Sequence, residues 1–230
     1  MKHRKLRIAV LASGHGSNLQ ALIDAIGAGH LDADLVGVFS DRVQAGALQR
    51  ARNVGVPALA VAPSEFPNRL RFDEHLFSRI DAVHADVIVC AGYMRLISER
   101  EVAARLGRMI NIHPSLLPSF KGLHTHQQAI AAGATMHGAS VHFVSPELDG
   151  GPVIAQAHVP VLEGDDPGRL ARRVLQREHP LLVATLRLLA GHRIELRGQL
   201  VVMNDRPLHT PLQLDSANRL VRPDSQENPQ

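Results

Sequence analysis

Two polar residues, Asn111 and His113, flank Ile112 in an otherwise apolar stretch and are the first candidates for chemistry. In an extended strand the side chains alternate between two faces, so Asn111 and His113 share a face and Ile112 points the other way. A histidine exchanges protons near neutral pH, and an amide NH₂ beside it can hold a developing oxyanion. The pair predicts a site for such chemistry, with a hydrogen-bonded polar strand end as the alternative.

A second candidate is a glycine-rich stretch between an apolar run and a helical pattern, Ser13-Gly14-His15-Gly16-Ser17-Asn18-Leu19. Glycines let the backbone turn sharply and approach a ligand closely. Amides at the start of the following helix then face an anion, and the helix dipole helps to hold it. The stretch predicts a phosphate-binding loop at Gly16, Ser17 and Asn18, or more simply a tight turn with a capping serine.

Two better-known phosphate motifs fit this stretch less well. The lysine of a P-loop is missing, and the dinucleotide fingerprint needs a small residue where Leu19 stands. Asp41, after the second apolar run, does mimic the acid that holds a ribose in dinucleotide sites. A dinucleotide site is therefore weakened as an interpretation, but it stays open.

A third candidate is the acidic turn Glu147-Leu148-Asp149-Gly150-Gly151-Pro152. An acid in a turn often does no more than accept hydrogen bonds from nearby backbone amides. If the fold brings Asp149 to His113, its negative charge favours the charged imidazolium.

Histidines near this region also suggest a metal site, because His124 and His126 have an H-x-H spacing and three others could join them. No cysteine accompanies them, and no acid stands at a familiar metal-site spacing. We therefore expect no metal.

The elements that position these residues follow from hydrophobic patterning. Continuous apolar runs predict strands buried on both faces of a parallel sheet, at residues 6–12, 34–40, 86–91 and 108–112 and, more weakly, 57–61. Helical patterns lie between them, at residues 44–54, 68–84 and 98–106 and in a first helix that Gly27 or Gly29 closes. The alternation predicts an α/β fold with a doubly wound, mostly parallel sheet, which binds ligands beyond the carboxyl ends of its strands.

After residue 112 the pattern changes to a loop between two prolines and a helix at residues 124–132. Strands at residues 138–145 and 153–162 predict an antiparallel C-terminal extension. A helix at 167–191 and a hairpin at 193–203 follow. We predict one domain over residues 1–205 and a C-terminal tail at 206–230, disordered from about residue 215.

Composition narrows the class of protein. The chain has 230 residues, 45% of them hydrophobic, a formal net charge of +3 and one cysteine, Cys90. One cysteine excludes a disulfide within the chain, so we expect a cytoplasmic protein with Cys90 as a small buried hydrophobe. The basic excess is too small and scattered to indicate nucleic acid, and no apolar run is long enough to span a membrane.

Five motifs together resemble one family, the phosphoribosylglycinamide formyltransferases, over roughly residues 6–205. They are the glycine-rich stretch without its variable His15, Ala-Gly-Tyr-Met-Arg at 91–95, Asn-Ile-His-Pro-Ser-Leu-Leu-Pro at 111–118, Gly-Leu-His-Thr-His at 122–126 and Glu-Leu-Asp-Gly-Gly-Pro at 147–152. The resemblance implies a Rossmann-like formyltransferase fold. It also implies transfer of a formyl group from the co-substrate 10-formyltetrahydrofolate to glycinamide ribonucleotide.

The same resemblance assigns roles to individual residues. Asn111, His113 and Asp149 are the implied catalytic trio, and Asn111 and Asp149 also contact the folate. Gly16, Ser17 and Asn18 hold the nucleotide phosphate, and Glu178 lies near the glycinamide or ribose. Further folate contacts fall on Arg69, Met94, Arg95, Leu96 and Ile97. The implied partners are these small molecules, and we expect a monomer or weak homodimer.

Three alternatives remain. A formyltetrahydrofolate hydrolase shares the Asn, His and Asp chemistry but uses water as acceptor. Its family carries an N-terminal regulatory domain and lacks Gly-Leu-His-Thr-His. A methionyl-tRNA formyltransferase needs a second, basic C-terminal domain. A non-catalytic nucleotide-binding module explains the glycine-rich stretch but not the catalytic trio.

Overall fold

The computed structural model describes residues 4–223, which fall into two compact units. The first comprises residues up to 111 together with 144–146, and the second comprises 112–143 and the residues from 147 onward. The prediction of a single domain over residues 1–205 stays a prediction.

The first unit alternates strands and helices, as the apolar runs predict. Its elements are β1 (Leu6–Leu11), α1 (Ser17–Gly27), β2 (Ala33–Ser40), α2 (Gly46–Asn53), β3 (Ala58–Ala60), α3 (Arg69–Asp81), β4 (Val87–Cys90), α4 (Glu99–Ala103) and the start of β5 (Met109–His113).

The five strands of this unit pair in parallel in the order β5-β4-β1-β2-β3. The interior of β1 and the whole of β4 are buried, which is why both read as continuous apolar runs rather than as alternating ones. Helix α3 packs its phenylalanines and leucine, Phe72, Leu76 and Phe77, into the core beside β4. Because β1 and β4 are parallel neighbours, the loops after them leave the same edge of the sheet.

The second unit is mainly antiparallel. Its elements are α5 (Thr125–Ala131), β6 (Met136–Phe143), β7 (Val153–Pro160), α6 (Pro167–Ala190), β8 (Ile194–Arg197), β9 (Leu200–Met203), β10 (Arg206–Pro207), β11 (Leu212–Leu214) and β12 (Leu220–Val221).

Strands β6 and β7 pair antiparallel, and α6 covers them with a face that includes Leu170, Val174 and Leu181. The order here is β12-β11-β7-β6, and β8, β9 and β10 form a separate small antiparallel sheet. The predicted fold class, a mostly parallel sheet with flanking helices and an antiparallel C-terminal extension, is confirmed.

The sequence predicts no element after residue 205, but the described chain continues into β10, β11 and β12. Leu212 and Leu214 are buried, and β11 adds to the edge of β7 in parallel. Three residues are too few to show an alternating pattern, so nothing in the sequence marks this strand. Disorder is predicted from about residue 215, but β12 lies within this range and pairs with β11. The rest of the predicted tail, residues 224–230, lies outside the described residues.

Among residues 4–223, the helices are all too short or too polar to cross a lipid bilayer.

The β6–β7 pair leaves no room for a side chain at Gly138, and this yields a test of the packing. A methyl group there would lie 1.9 Å from the carbonyl oxygen of Ala157. We expect Gly138→Ala to lower the free energy of unfolding by about 4 kcal/mol or more, in the range of severe backbone and core clashes.

The matched control is Gly27→Ala, because Gly27 ends α1 and has open space around it. That change should be neutral or stabilise by up to about 1 kcal/mol. Urea unfolding of both variants makes the comparison. Equal stability of the two would contradict the close approach of β7.

Candidate active site

His113 and Asp149, predicted separately from the sequence, lie together in the second unit. His113 ends β5 with 6% of its surface exposed. Its Nδ1 is 3.5 Å from Oδ2 of Asp149, and its Nε2 is 3.1 Å from the carbonyl oxygen of Phe120. An imidazole with an oxygen at each nitrogen is placed to hold or pass a proton.

The carboxylate of Asp149 is itself held from several sides. Its Oδ2 accepts a 2.9 Å hydrogen bond from the amide of Gly122, and its Oδ1 lies 3.8 Å from Nε2 of His142. Burial lowers the pKa of His142, so this ring is neutral near neutral pH. Asp149 therefore does accept from a backbone amide, as a turn acid would, but it also faces two imidazoles.

A buried network that the sequence did not reveal holds the chain just after His113. The hydroxyl of Ser140 donates to the carbonyl of Ser115 at 2.7 Å and accepts from the amide of Leu117 at 3.0 Å. The side-chain amide of Gln156 donates to the hydroxyl of Ser140 and to the backbone carbonyl of Leu117. Because Ser140 is fully buried, these bonds fix the loop rigidly. The only sequence signal is two polar residues within apolar strands.

Two of the histidines that suggested a metal, His126 and His137, form a hydrogen-bonded pair. Nδ1 of His126 lies 3.1 Å from Nε2 of the fully buried His137, while His124 is exposed at the start of α5. Within residues 4–223, no group of three or more potential ligands is arranged to hold a metal ion.

The glycine-rich stretch in the first unit turns as a ligand-binding loop does. Gly16 has a φ of +74°, and a methyl group there would lie 2.7 Å from Cα of Ala47. Gly16 precedes α1, and no side chain caps this helix, so the capping-serine alternative does not describe Ser17. Ser17 and the buried Asn18 form the first turn of α1, the part of a helix whose backbone amides are able to bind an anion.

The loop after β4 carries the residues predicted to contact folate. Met94 and Leu96 are 55% and 54% exposed. The guanidinium of Arg95, also exposed, lies 5.2 Å from the centre of the Phe72 ring. Ile97 is half-buried against the core of the unit.

The remaining residues selected from the sequence are described by their element and their burial. Arg69 is the exposed first residue of α3, Asn111 is half-buried in β5, and Glu178 is buried on α6. Asp41, the acid that mimics a ribose-binding residue, is 8% exposed and accepts the hydroxyl of Ser13. Burial raises the pKa of Cys90 to about 12, so its thiol is not a nucleophile near neutral pH.

Comparisons with known proteins agree on one family. A family model described as formyl transferase matches residues 6–186. The phosphoribosylglycinamide formyltransferase of Escherichia coli (strain K12) is 44% identical over 191 residues, which are 83% of this chain and 90% of that protein.

Solved structures give the same picture. The phosphoribosylglycinamide formyltransferase of Coxiella burnetii superposes with a TM-score of 0.86 at 42% identity, over 89% of this chain and 96% of that one. A formyltetrahydrofolate deformylase from Pseudomonas syringae matches with a TM-score of 0.79 at 28% identity, over 87% of this chain and 66% of that one.

The buried His137 predicts a specific pH dependence of stability. Burial, followed by the neighbouring His126, lowers the pKa of His137 from 6.5 to about 4. Below about pH 6.5 the unfolded chain therefore binds a proton that the folded chain does not, and stability falls as the pH drops towards about 4. Fully expressed, this effect is worth about 3 kcal/mol.

His137→Gln keeps a polar side chain beside His126 but removes the titrating group. We expect its free energy of unfolding, measured in urea across this pH range, to fall less steeply than that of the wild type. The other buried histidines leave part of the slope in place. Parallel slopes for the two proteins would show that His137 is not buried in its neutral form.

Proposed function

This chain belongs to the formyl transferase family, and we propose that it transfers the formyl group of 10-formyltetrahydrofolate to the amine of glycinamide ribonucleotide. The products are formylglycinamide ribonucleotide and tetrahydrofolate, in purine biosynthesis. The observation that carries the proposal is the buried pair of His113 and Asp149. His113 ends β5, two residues after Asn111 on the same strand, and Asp149 lies in the turn before β7.

The formyltetrahydrofolate hydrolase is the nearest alternative, because it shares this chemistry with water as acceptor. The much higher identity to proteins named as phosphoribosylglycinamide formyltransferases than to a named deformylase favours the transferase. The motif Gly-Leu-His-Thr-His at residues 122–126 points the same way.

The reaction is an acyl transfer between two nitrogens. The neutral amine attacks the formyl carbon, and a tetrahedral intermediate with an oxyanion forms. When this intermediate collapses, the bond from the carbon to the folate nitrogen breaks. The attacking amine loses a proton, and the departing nitrogen gains one. No covalent enzyme intermediate is needed, and the buried Cys90 thiol has no part in the reaction.

Asn111 and His113 are the proposed donors to the oxyanion. Two positions apart on β5, their side chains share a face of the strand. Nε2 of His113 lies 3.1 Å from the carbonyl oxygen of Phe120, and because a carbonyl oxygen only accepts, this nitrogen is placed as a donor to oxygen. The fixed loop after His113 keeps the ring preorganised, which is what makes such donors effective.

Asp149 orients His113 and stabilises its charged form when the ring holds the proton in transit. Its Oδ2 accepts from the Gly122 amide and lies 3.5 Å from Nδ1 of His113, so the carboxylate has little freedom to move. We also propose that it orients a water molecule that relays the proton.

Binding roles for the remaining residues follow the same proposal. Gly16, Ser17 and Asn18 hold the nucleotide phosphate at the uncapped start of α1. The folate contacts fall on the loop after β4 and on α3, at Arg69, Met94, Arg95, Leu96 and Ile97. Asn111 and Asp149 reach the folate as well, and Glu178 binds the glycinamide or ribose.

We propose a cytoplasmic setting, which a single buried cysteine supports. The oligomeric state, predicted as monomer or weak homodimer, is to be measured by light scattering.

The function is tested by following formylfolate consumption with and without glycinamide ribonucleotide. We expect consumption only with the nucleotide, and His113→Ala should slow it by roughly 10²–10³-fold, the typical cost of one oxyanion donor. Circular dichroism checks that the variant folds. Consumption without nucleotide at the full rate would favour the hydrolase, and normal turnover by folded His113→Ala would remove His113 from the mechanism.

A further inference from the structure

The hydroxyl of Ser13 joins two loops to which the proposed function gives different substrates. Ser13 opens the glycine-rich stretch that holds the nucleotide phosphate, three residues before Gly16. Its Oγ accepts a 3.0 Å hydrogen bond from the amide of Met94, the first residue of the folate loop, Met94–Ile97. The same oxygen donates at 2.6 Å to Oδ1 of Asp41.

The geometry assigns a direction to this chain of bonds. An amide can only donate, so Ser13 must use a lone pair for Met94 and its one hydrogen for Asp41. The carboxylate thereby fixes the rotamer of Ser13, and the oxygen of Ser13 fixes the position of Met94. Both Ser13 and Asp41 are buried, at 2% and 8% exposure, so water does not substitute readily for either.

The far end of the folate loop is held independently. The buried carboxylate of Asp73 accepts a 2.8 Å hydrogen bond from the amide of Ser98. The loop is thus attached at both ends while Met94 and Leu96 project outward. Such a loop presents an apolar surface whose shape depends on its two attachments, and the attachment at Met94 runs through Ser13.

The glycine-rich stretch has its own contacts on the other side. The amide of Ala47 donates to the carbonyl of Gly14 at 3.1 Å, and the guanidinium of Arg50 donates to the carbonyl of His15 at 2.8 Å. An anion bound at the start of α1 orders this stretch further, and Ser13 with it. Ordering that one ligand brings about lowers the entropic cost of binding a second ligand to the same connected structure.

We propose that Ser13 and Asp41 are positioning residues that couple the two substrates, so that nucleotide bound at Gly16–Asn18 strengthens folate binding at Met94–Ile97. This inference rests on the proposed function. By linkage, folate strengthens nucleotide binding by the same factor, which for such couplings is at least about fivefold. Neither residue touches the reacting atoms in this account.

The test measures the dissociation constant of tetrahydrofolate by titration calorimetry, with and without saturating glycinamide ribonucleotide. This pair cannot react, because tetrahydrofolate carries no formyl group. In the wild type the nucleotide should tighten folate binding by about fivefold or more, and folate should tighten nucleotide binding equally. In Ser13→Ala the factor should fall towards one, and folate alone should bind more weakly.

Three further variants separate coupling from general damage. Asp41→Asn retains an oxygen that accepts from Ser13, so it should preserve the factor, whereas Asp41→Ala should lose it. Ser40→Ala is the matched control, because the hydroxyl of the fully buried Ser40 accepts from the amide of Arg42, which lies outside both loops. Its factor should equal that of the wild type. Folding of Ser13→Ala is supported by the backbone bond from Ser13 to Gly92, which remains.

A wild type with a factor of one, or a Ser13→Ala variant that keeps the full factor, overturns the coupling. If Ser13→Ala melts below the temperature of the titration, Asp41→Ala decides in its place. If the wild type binds neither ligand, the proposed function itself fails and the inference fails with it.

Discussion

The arrangement of the candidate site in the second unit depends on the contacts of one buried carboxylate, that of Asp149. A charge with 10% of its side chain exposed is costly unless it is surrounded by hydrogen-bond donors and counter-charges. Gly122 supplies an amide, and His113 supplies an imidazole. Satisfying this one group therefore fixes the turn that carries it, the loop around residue 122 and the ring that we propose does the chemistry.

The same constraint appears in the first unit with a different carboxylate. Asp41 is buried and takes the hydroxyl of Ser13, which in turn takes the amide of Met94. In both units a polar group buried near a strand's carboxyl end organises the loops that leave there. A buried polar group at such a position is tolerated when its hydrogen bonds are satisfied, and a fully satisfied network is rigid. Rigidity is what a site needs if it is to stabilise a transition state without rearranging.

The sequence predicts the strands and helices well where burial is continuous, as in β1 and β4, because parallel strands covered on both faces must be apolar throughout. It also selects His113 as a candidate from its place at a strand end, and Asp149 as a turn acid to which the family resemblance gives a role, and these two residues do lie together. It does not reveal their partners. Ser140 and Gln156 are ordinary polar residues in the sequence, and only the pairing of β6 with β7 brings them to the loop after His113. Strand β11 is not predicted for a related reason, because three residues are too few for a hydrophobic pattern to indicate a strand.

In the proposed mechanism, Asp149 acts through His113 on the transfer step itself. Rapid-quench single-turnover measurements on Asp149→Asn, with both substrates saturating, test it most directly, because asparagine keeps the size and an acceptor for the Gly122 amide but removes the charge. We expect the rate of formyl transfer to fall by roughly 10²-fold or more, as for loss of an acid–base partner, while the dissociation constant of the nucleotide changes little. An unchanged single-turnover rate in the folded variant would contradict it and leave Asp149 as a residue that only shapes its turn.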